Sequence, residues 1–415
     1  MRYRFIIPII LIILALLSLN SKHFKTYNVQ KYDIIGDGNT DNTQAIQTLF
    51  DTINTDNATV QFPKGTYIIS APIVITRPVT IIGENATLKL SPQFKSNKMG
   101  QGFFYANSID NITINNLNFD GNKSNLLKDP VNNFVTWFEN TSHVTIENCS
   151  VTNLNGGGEN LNTAFGFIGN SDYGKALGNT VTNSGGGAVF FQGKHSEAKN
   201  NNSTKLDDVA LVANSTGAQN IIFKNNTVSD TKSGGIGIEN GPSEITITDN
   251  TINNFTDGYG IGVLHFKDLS SPPPKKITIK NNKINANLGN NPCNAIAIER
   301  GENILIEKNS IQNVNNSSPH NNSIWISNMV KTTKISSNTL SKTTAHAMLI
   351  QSTESIVLSK NHINTEDVGV FITLDHIKTN KTLTVSNNII TAKKAIYTES
   401  TNDAIQLINN TITEV

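Results

Sequence analysis

Five ionisable side chains fall at one phase of a repeat that runs through this chain: Glu239, His265, Lys267, Glu299 and Arg300. Their types allow two chemistries. Glu239 and Glu299 are two repeats apart, which puts their Cα atoms ~10 Å apart if repeats stack like neighbouring strands. Their carboxyls can then reach the ~6.5–9.5 Å at which an acid and a base flank a glycosidic bond and a water. In the other chemistry, His265 or Lys267 takes a carbon-bound proton beside a substrate carboxylate. Arg300 neutralises that carboxylate and so lowers the proton's pKa. A solvated outer face accounts for either glutamate alone; the cluster is what points to chemistry.

The phase is set by a recurring phrase. Ile277-Thr278-Ile279-Lys280-Asn281-Asn282-Lys283-Ile284 reads apolar-x-apolar, a polar corner closed by Asn, then polar and apolar. The corner Asn returns at Asn179, Asn201, Asn226, Asn250, Asn282, Asn309, Asn338, Asn361, Asn388 and Asn410, with Leu117 and Cys149 in that slot in two earlier copies. Intervals of 22 to 32 residues are the signature of a solenoid. Each coil is expected to hold three short strands: the Ile-Thr-Ile type, a second after the Asn corner, and a third such as Gly235-Ile236-Gly237-Ile238-Glu239-Asn240. Alternation sends Ile236 and Ile238 inward and Gly237 and Glu239 outward. A 22-residue coil leaves only tight turns, so longer coils carry loops, clearest at 120–132, 154–163, 265–276, 286–294, 315–322 and 374–381. Such insertions gather on one face or its rims, usually the binding face. The corner Asn itself reads as scaffold. It tolerates the αL corner, its amide can bond from coil to coil, and Leu117 and Cys149 in its slot imply at least partial burial.

The flanks are less regular. Arg2 and Arg4 precede an apolar run from Phe5 to Leu19, read as a signal peptide or signal anchor over residues 1–21 that directs the remainder to a secreted, periplasmic or cell-surface location. Residues 22–99 are expected to form an N-terminal cap and first strands. Asp41 and Gln44 suggest a capping box, and Ala45, Ile46, Leu49, Phe50 and Ile53 share one helical face that would cover the open end of the solenoid. Strand-like runs follow at Thr59–Phe62, Thr66–Ile69, Ile73–Ile75, Val79–Ile82 and Thr87–Leu90. Residues 100–415 give about twelve coils. The last phrase, Leu407 to Ile412, has no visible cap, so a partner subunit or a returning loop is expected over it. Net charge is +1, and without Arg2 and Arg4 the chain has 31 basic against 32 acidic residues, which gives no reason to expect nucleic acid as partner. Cys149 and Cys293 lie about five coils apart, too far for a disulfide, and are expected as free thiols.

Three stretches carry a resemblance. Tyr32-Asp33-Ile34-Ile35-Gly36-Asp37-Gly38, Thr40-Asp41-Asn42-Thr43-Gln44-Ala45-Ile46-Gln47 and Phe62-Pro63-Lys64-Gly65-Thr66-Tyr67 look like the N-terminal motif of pectate-lyase-like right-handed parallel β-helix proteins, with rhamnogalacturonase- and epimerase-like members. The resemblance implies an all-β, right-handed parallel β-helix. It also implies that sugar binds on the outer face of the third strand type. Alternation then gives an outward column of Phe104, Trp137, Phe167, Phe190, Leu211, Gly237, Gly262, Ala297, Trp325, Leu349, Phe371 and Tyr397. This suggests a small floor at Gly237, Gly262 and Ala297 between aromatic platforms, since sugar rings stack C–H faces on aromatic rings.

On this reading His265, Lys267, Glu239, Glu299 and Arg300 are candidate catalytic residues, and Gln192, Lys194, His195, Phe190 and Trp325 candidate substrate contacts. The basic groups near the groove favour an acidic polysaccharide, handled by a lyase or C5-epimerase. A glycoside hydrolase with paired Glu, and a non-catalytic glycan-binding or surface structural β-helix, remain the alternatives. Asp207-Asp208 resembles part of a polygalacturonase signature whose companions are missing, and Asp208 reads as a turn residue. No metal-ligand spacing stands out and no cofactor is expected; the one arrangement that could hold calcium, together with a uronate, is Glu139, Glu239 and Glu299.

Overall fold

The computed structural model describes residues 25–55, 58–96, 102–126, 134–155, 163–264, 271–286, 293–315, 321–351, 355–373, 382–399 and 405–415. His265, Lys267 and the apolar run near the N-terminus lie outside them. Nearly every described segment is a short strand, and every pairing between strands is parallel. The strands stack into three sheets along one axis. Sheet A holds the Ile-Thr-Ile type, such as Lys275–Lys280. Sheet B holds the strand after the Asn corner, such as Lys283–Asn285. Sheet C holds the third type, such as Gly234–Glu239. Sheet B has fifteen strands, of which twelve follow residue 100, so this part of the chain makes about twelve turns. Sheets A and C are joined through Cys293–Glu307, a strand that starts in one and ends in the other.

The period-2 pattern sets which side chains enter the core. Ile245, Ile277 and Ile304 are neighbours in register, as are Ile236, Ile261 and Ile296, and all are buried. Like stacks on like from coil to coil. Each such side chain contributes about 1.5–3 kcal/mol by leaving water. The bulkiest core side chains, among them Phe103, Phe104, Phe119, Phe138, Phe165, Phe167, Phe191, Phe223 and Phe255, lie no later than residue 255; beyond it the core is largely aliphatic.

At the corner between sheets A and B the Asn slot is a hydrogen-bonded column. The Asn250 amide donates to Asn282 Oδ1 at 2.9 Å, Asn282 donates to Asn309 Oδ1 at 3.0 Å, and the second N–H of Asn282 reaches the Ile247 carbonyl of the previous coil at 3.0 Å. Leu117 and Cys149 in the same slot are fully buried. One expectation needs correction. The αL residue is the one before the ladder Asn: Asn200, Asn225, Asp249, Asn281 and Asn387 have φ of 54–59°. The ladder residue is free to turn its amide inward because its predecessor makes the turn.

A helix, Thr43–Thr52, precedes the first full coils and buries Ile46, Leu49 and Phe50, with Ile53 just beyond it also buried. No capping box forms. The N-cap is Asn42, whose amide is used on Ile35, while Asp41 accepts from the Thr43 N–H at 3.0 Å. The short strands Ala58–Phe62, Gly65–Ile69, Ile73–Val74, Val79–Gly83 and Ala86–Leu90 follow, and their sheets continue without a break past residue 100. Both cysteines are free and buried, and burial pushes each thiol up to about 12.

The chain never lengthens at the A-to-B corner. Every gap in the described residues after residue 90, from 97–101 to 400–404, falls in a connection into or out of sheet C.

Candidate functional site

The outward column of sheet C runs, in register, Tyr105, Trp137, Gly166, Phe190, Val212, Gly237, Gly262, Ala297, Trp325, Leu349, Phe371 and Tyr397. Nine of these positions are as the alternation suggested. Three are corrected by one residue: Phe104, Phe167 and Leu211 are fully buried in the core, and Tyr105, Gly166 and Val212 face out. The expected open floor is also corrected. The Tyr259 ring lies on the sheet there. A Cβ on Gly262 would sit 2.6 Å from that ring, and one on Gly237 would sit 2.9 Å from the Tyr259 hydroxyl and 2.8 Å from Glu239 Oε1. The glycines are small because Tyr259 and Glu239 occupy the space above them. With Ile168, Phe190, Val209, Val212, Leu264 and Ala297, Tyr259 makes a second apolar cluster outside the solenoid, and Trp137 and Trp325 pack on its ends.

Glu239 stands at the edge of this cluster, half-buried. Its Oε2 accepts from Asn214 Nδ2 at 3.0 Å, from the register position one coil earlier. Its Oε1 accepts from the Tyr259 hydroxyl at 3.3 Å. Burial raises its pKa to about 7; the negative charge of Asp208 adds to that, and the bonds from Asn214 and Tyr259 oppose it. Asp208 is itself half-buried and raised by burial, against the Val209 N–H that donates to its Oδ1 at 2.7 Å. Tyr259 is pushed well above the ordinary tyrosine value by burial and by the same two carboxyls. The result is a carboxyl that changes charge near neutral pH beside a phenol that keeps its proton.

The other candidate residues divide. Glu299 lies in the same outward column as Glu239, with Leu264 in the register position between them where an ionisable side chain was expected. Arg300 follows Glu299 and donates from Nη1 to the Ser271 carbonyl at 2.9 Å. Gln192 lies one coil before Asn214 and accepts from the Gly169 N–H at 2.9 Å. Lys194 and His195 have already turned the corner to sheet A: Lys194 bridges to Gln219, and the His195 ring stacks on Tyr173 at 5.0 Å. Phe190 is only 4% exposed, too enclosed for the platform expected of it. Trp325 is half-buried and donates to Gln351 Oε1 at 2.8 Å. The sequence reading missed Asn214 and Tyr259 and gave Asp208 only a turn. The available signal was an aromatic residue set between Gly258 and Gly260 and facing Gly262, a spacing that makes room for a ring to lie on the strand. Among the described residues no group of three His, Cys, Asp or Glu side chains is placed to hold a metal ion, and no helix is long and apolar enough to cross a membrane.

A parallel β-solenoid with a half-buried carboxyl on one outer sheet defines a class of architecture. Residues 26–211, a little under half of the chain, match the family described as rhamnogalacturonase A/epimerase, pectate lyase-like, and this part of the chain is similar to that family. Among solved structures it is similar to the A-module of the mannuronan C-5 epimerase AlgE6 of Azotobacter vinelandii, with a TM-score of 0.66 and 16% identity over 93% of this chain and 99% of that one. It is also similar to PfbA, a surface adhesin of Streptococcus pneumoniae, with a TM-score of 0.56 and 14% identity over 94% and 92%. The periplasmic alginate epimerase AlgG gives 0.51 and 12% over 94% and 83%. At these identities the likeness is one of fold. No curated protein sequence matches the chain.

Proposed function

We propose that this is an exported, polysaccharide-active protein that works on an acidic, uronate-containing glycan as a lyase or C5-epimerase, with Glu239 at the reacting centre. The observation that carries the proposal is the Glu239 carboxyl, held on the outer face of sheet C between Asn214 and Tyr259 and titrating near neutrality. The best general base at neutral pH has a pKa near neutral pH. In this reading ionised Glu239 takes the proton from C5 of the uronate. Electrons of the broken C–H bond move toward the uronate carboxylate, and Arg300, beside Glu299, is the candidate to balance that charge. Loss of the substituent on C4 then gives a double bond, which is the lyase outcome. Return of a proton to the opposite face of C5 gives the epimer. Tyr259 retains its proton and serves as donor rather than base. The similar structures include a mannuronan C-5 epimerase and an alginate epimerase, which supports the substrate class. The helix Thr43–Thr52, on the same reading, closes the N-terminal end of the solenoid.

One observation favours a second reading, a glycan binder without chemistry: the outer face beside Glu239 is filled by the cluster of Phe190, Val212, Tyr259 and Leu264. A screen of the purified chain against polyuronates and neutral glycans separates the two. Ultraviolet absorbance of unsaturated uronate reports lyase, deuterium uptake at C5 in heavy water reports epimerase, and new reducing ends without either report hydrolase. Binding with no turnover, unchanged in Glu239→Gln, would sink the enzymatic proposal.

A further inference from the structure

Sheet C carries a second group of polar and aromatic side chains that the Glu239 site does not use. Beyond Ala297 the outward column is Trp325, Leu349, Phe371 and Tyr397 on four successive coils, each half-buried. The Phe371 and Tyr397 rings are 5.1 Å apart. The Lys394 ammonium lies 3.8 Å from the Tyr397 ring centroid, a cation–π contact that keeps the charge at the margin of the strip. On the same margin the His346 imidazole meets Phe371 edge-on at 5.0 Å, with Nδ1 2.8 Å from Asp367 Oδ2. With Asp367 Oδ2 close to Nδ1, the opposite ring edge of His346 is the one left for a ligand. Gln351 and Thr373, in register with each other, form the opposite margin.

The strip is amphipathic across its width: apolar rings in the middle, hydrogen-bonding groups on both sides, one ammonium at the far end. A ligand matched to it has an apolar C–H face, hydroxyls at its edges and a negative charge at the Lys394 end. We propose that Phe371, Tyr397 and Lys394, with the His346–Asp367 pair, form a distal subsite for a uronate residue of a polysaccharide lying along sheet C. The subsite rests on the acidic-glycan reading and adds to it a length requirement. Tyr397 is six coils from Gly237, about 29 Å at the spacing of parallel strands. Only a chain of several sugars can touch Glu239 and Lys394 together.

The test measures binding by calorimetry in a Glu239→Gln background, with trimeric and dodecameric galacturonate and mannuronate and with neutral cello-oligosaccharides of the same lengths. Lys394→Met is expected to weaken the dodecameric uronate about tenfold, the loss of one charge-assisted contact, and to leave the trimers unchanged. Lys394→Arg is expected to restore most of the loss, and Phe371→Ala to weaken long chains without changing the melting temperature by more than a few degrees. Equal affinity of long uronates for Lys394→Met and its parent overturns the subsite, as does neutral dodecamer binding as tight as charged. If the wild-type protein turns over polyuronates while these variants bind normally, the subsite falls and the proposed activity stands. If no uronate is bound or turned over, both fall.

Discussion

Glu239 is held where ionising is costly, and the cost has a sign that can be measured. Its folded pKa of about 7 lies above the ordinary 4.5, so the folded state favours the protonated form. The stability this provides is complete below about pH 4.5 and is lost as pH rises through 7, at up to about 1.4 kcal/mol per pH unit. Glu239→Gln is expected to flatten thermal stability between pH 4.5 and 7 and to abolish turnover, as melting curves and activity assays would report. Tyr259→Phe keeps the ring over Gly262 and removes only the donor. It is expected to cost about 1 kcal/mol in folding and to shift the pH–rate profile toward alkaline values, because the Tyr259 bond lowers the Glu239 pKa. Gly262→Ala puts a methyl into the Tyr259 ring and is expected to lower activity more than Tyr259→Phe does. Glu239 was legible in the sequence because it ends a clean alternation, Ile236, Gly237, Ile238, Glu239. Tyr259 was harder to read, because its one sign in the sequence is its place between Gly258 and Gly260, three positions before Gly262.

The same contrast holds for the elements. The register of sheet A was readable in the sequence, since most coils repeat apolar-polar-apolar before an Asn, with Leu117 and Cys149 in that slot in two. The parity of sheet C failed where both faces are apolar. Thr163–Ile168 is buried at every position, so alternation carries no information there and Phe167 was taken for the wrong side; Leu211–Ala213 is likewise buried throughout and Leu211 went the same way, while Phe104–Asn107 alternates cleanly and only its phase was misread. The Asn corner offers a direct test of scaffold against function. The Asn282 side chain donates to Ile247 O and Asn309 Oδ1 and accepts from the Asn250 backbone and side-chain N–H groups. Asn282→Leu is expected to cost about 3–5 kcal/mol by leaving buried partners unmatched. Asn410→Leu, at the last coil, is expected to cost less than half as much. Urea denaturation of the two variants checks this, and equal losses would contradict it.

Across the whole molecule, contacts pass from one coil to the next, and stability in such a rod is a sum over neighbours. In the coil that holds Asn410, Leu407, Ile408 and Ile412 are exposed. Backbone amides of Ile405–Ile408 are expected to exchange with heavy water well before those of Lys275–Lys280 in the centre, as mass spectrometry of peptic fragments would show. The Asn column adds a property that runs the full length of the coils it spans. All nine amide–amide bonds from Asn179 to Asn410 point the same way, each N–H toward the coil that follows. The side-chain dipoles therefore add, as peptide dipoles do along an α-helix, and neighbouring bonds polarise one another. One edge of the rod is a line of aligned dipoles, with its carbonyl pole at Asn179 and its N–H pole at Asn410. Two rods joined head to tail would extend that line, and two joined tail to tail would set like poles against each other.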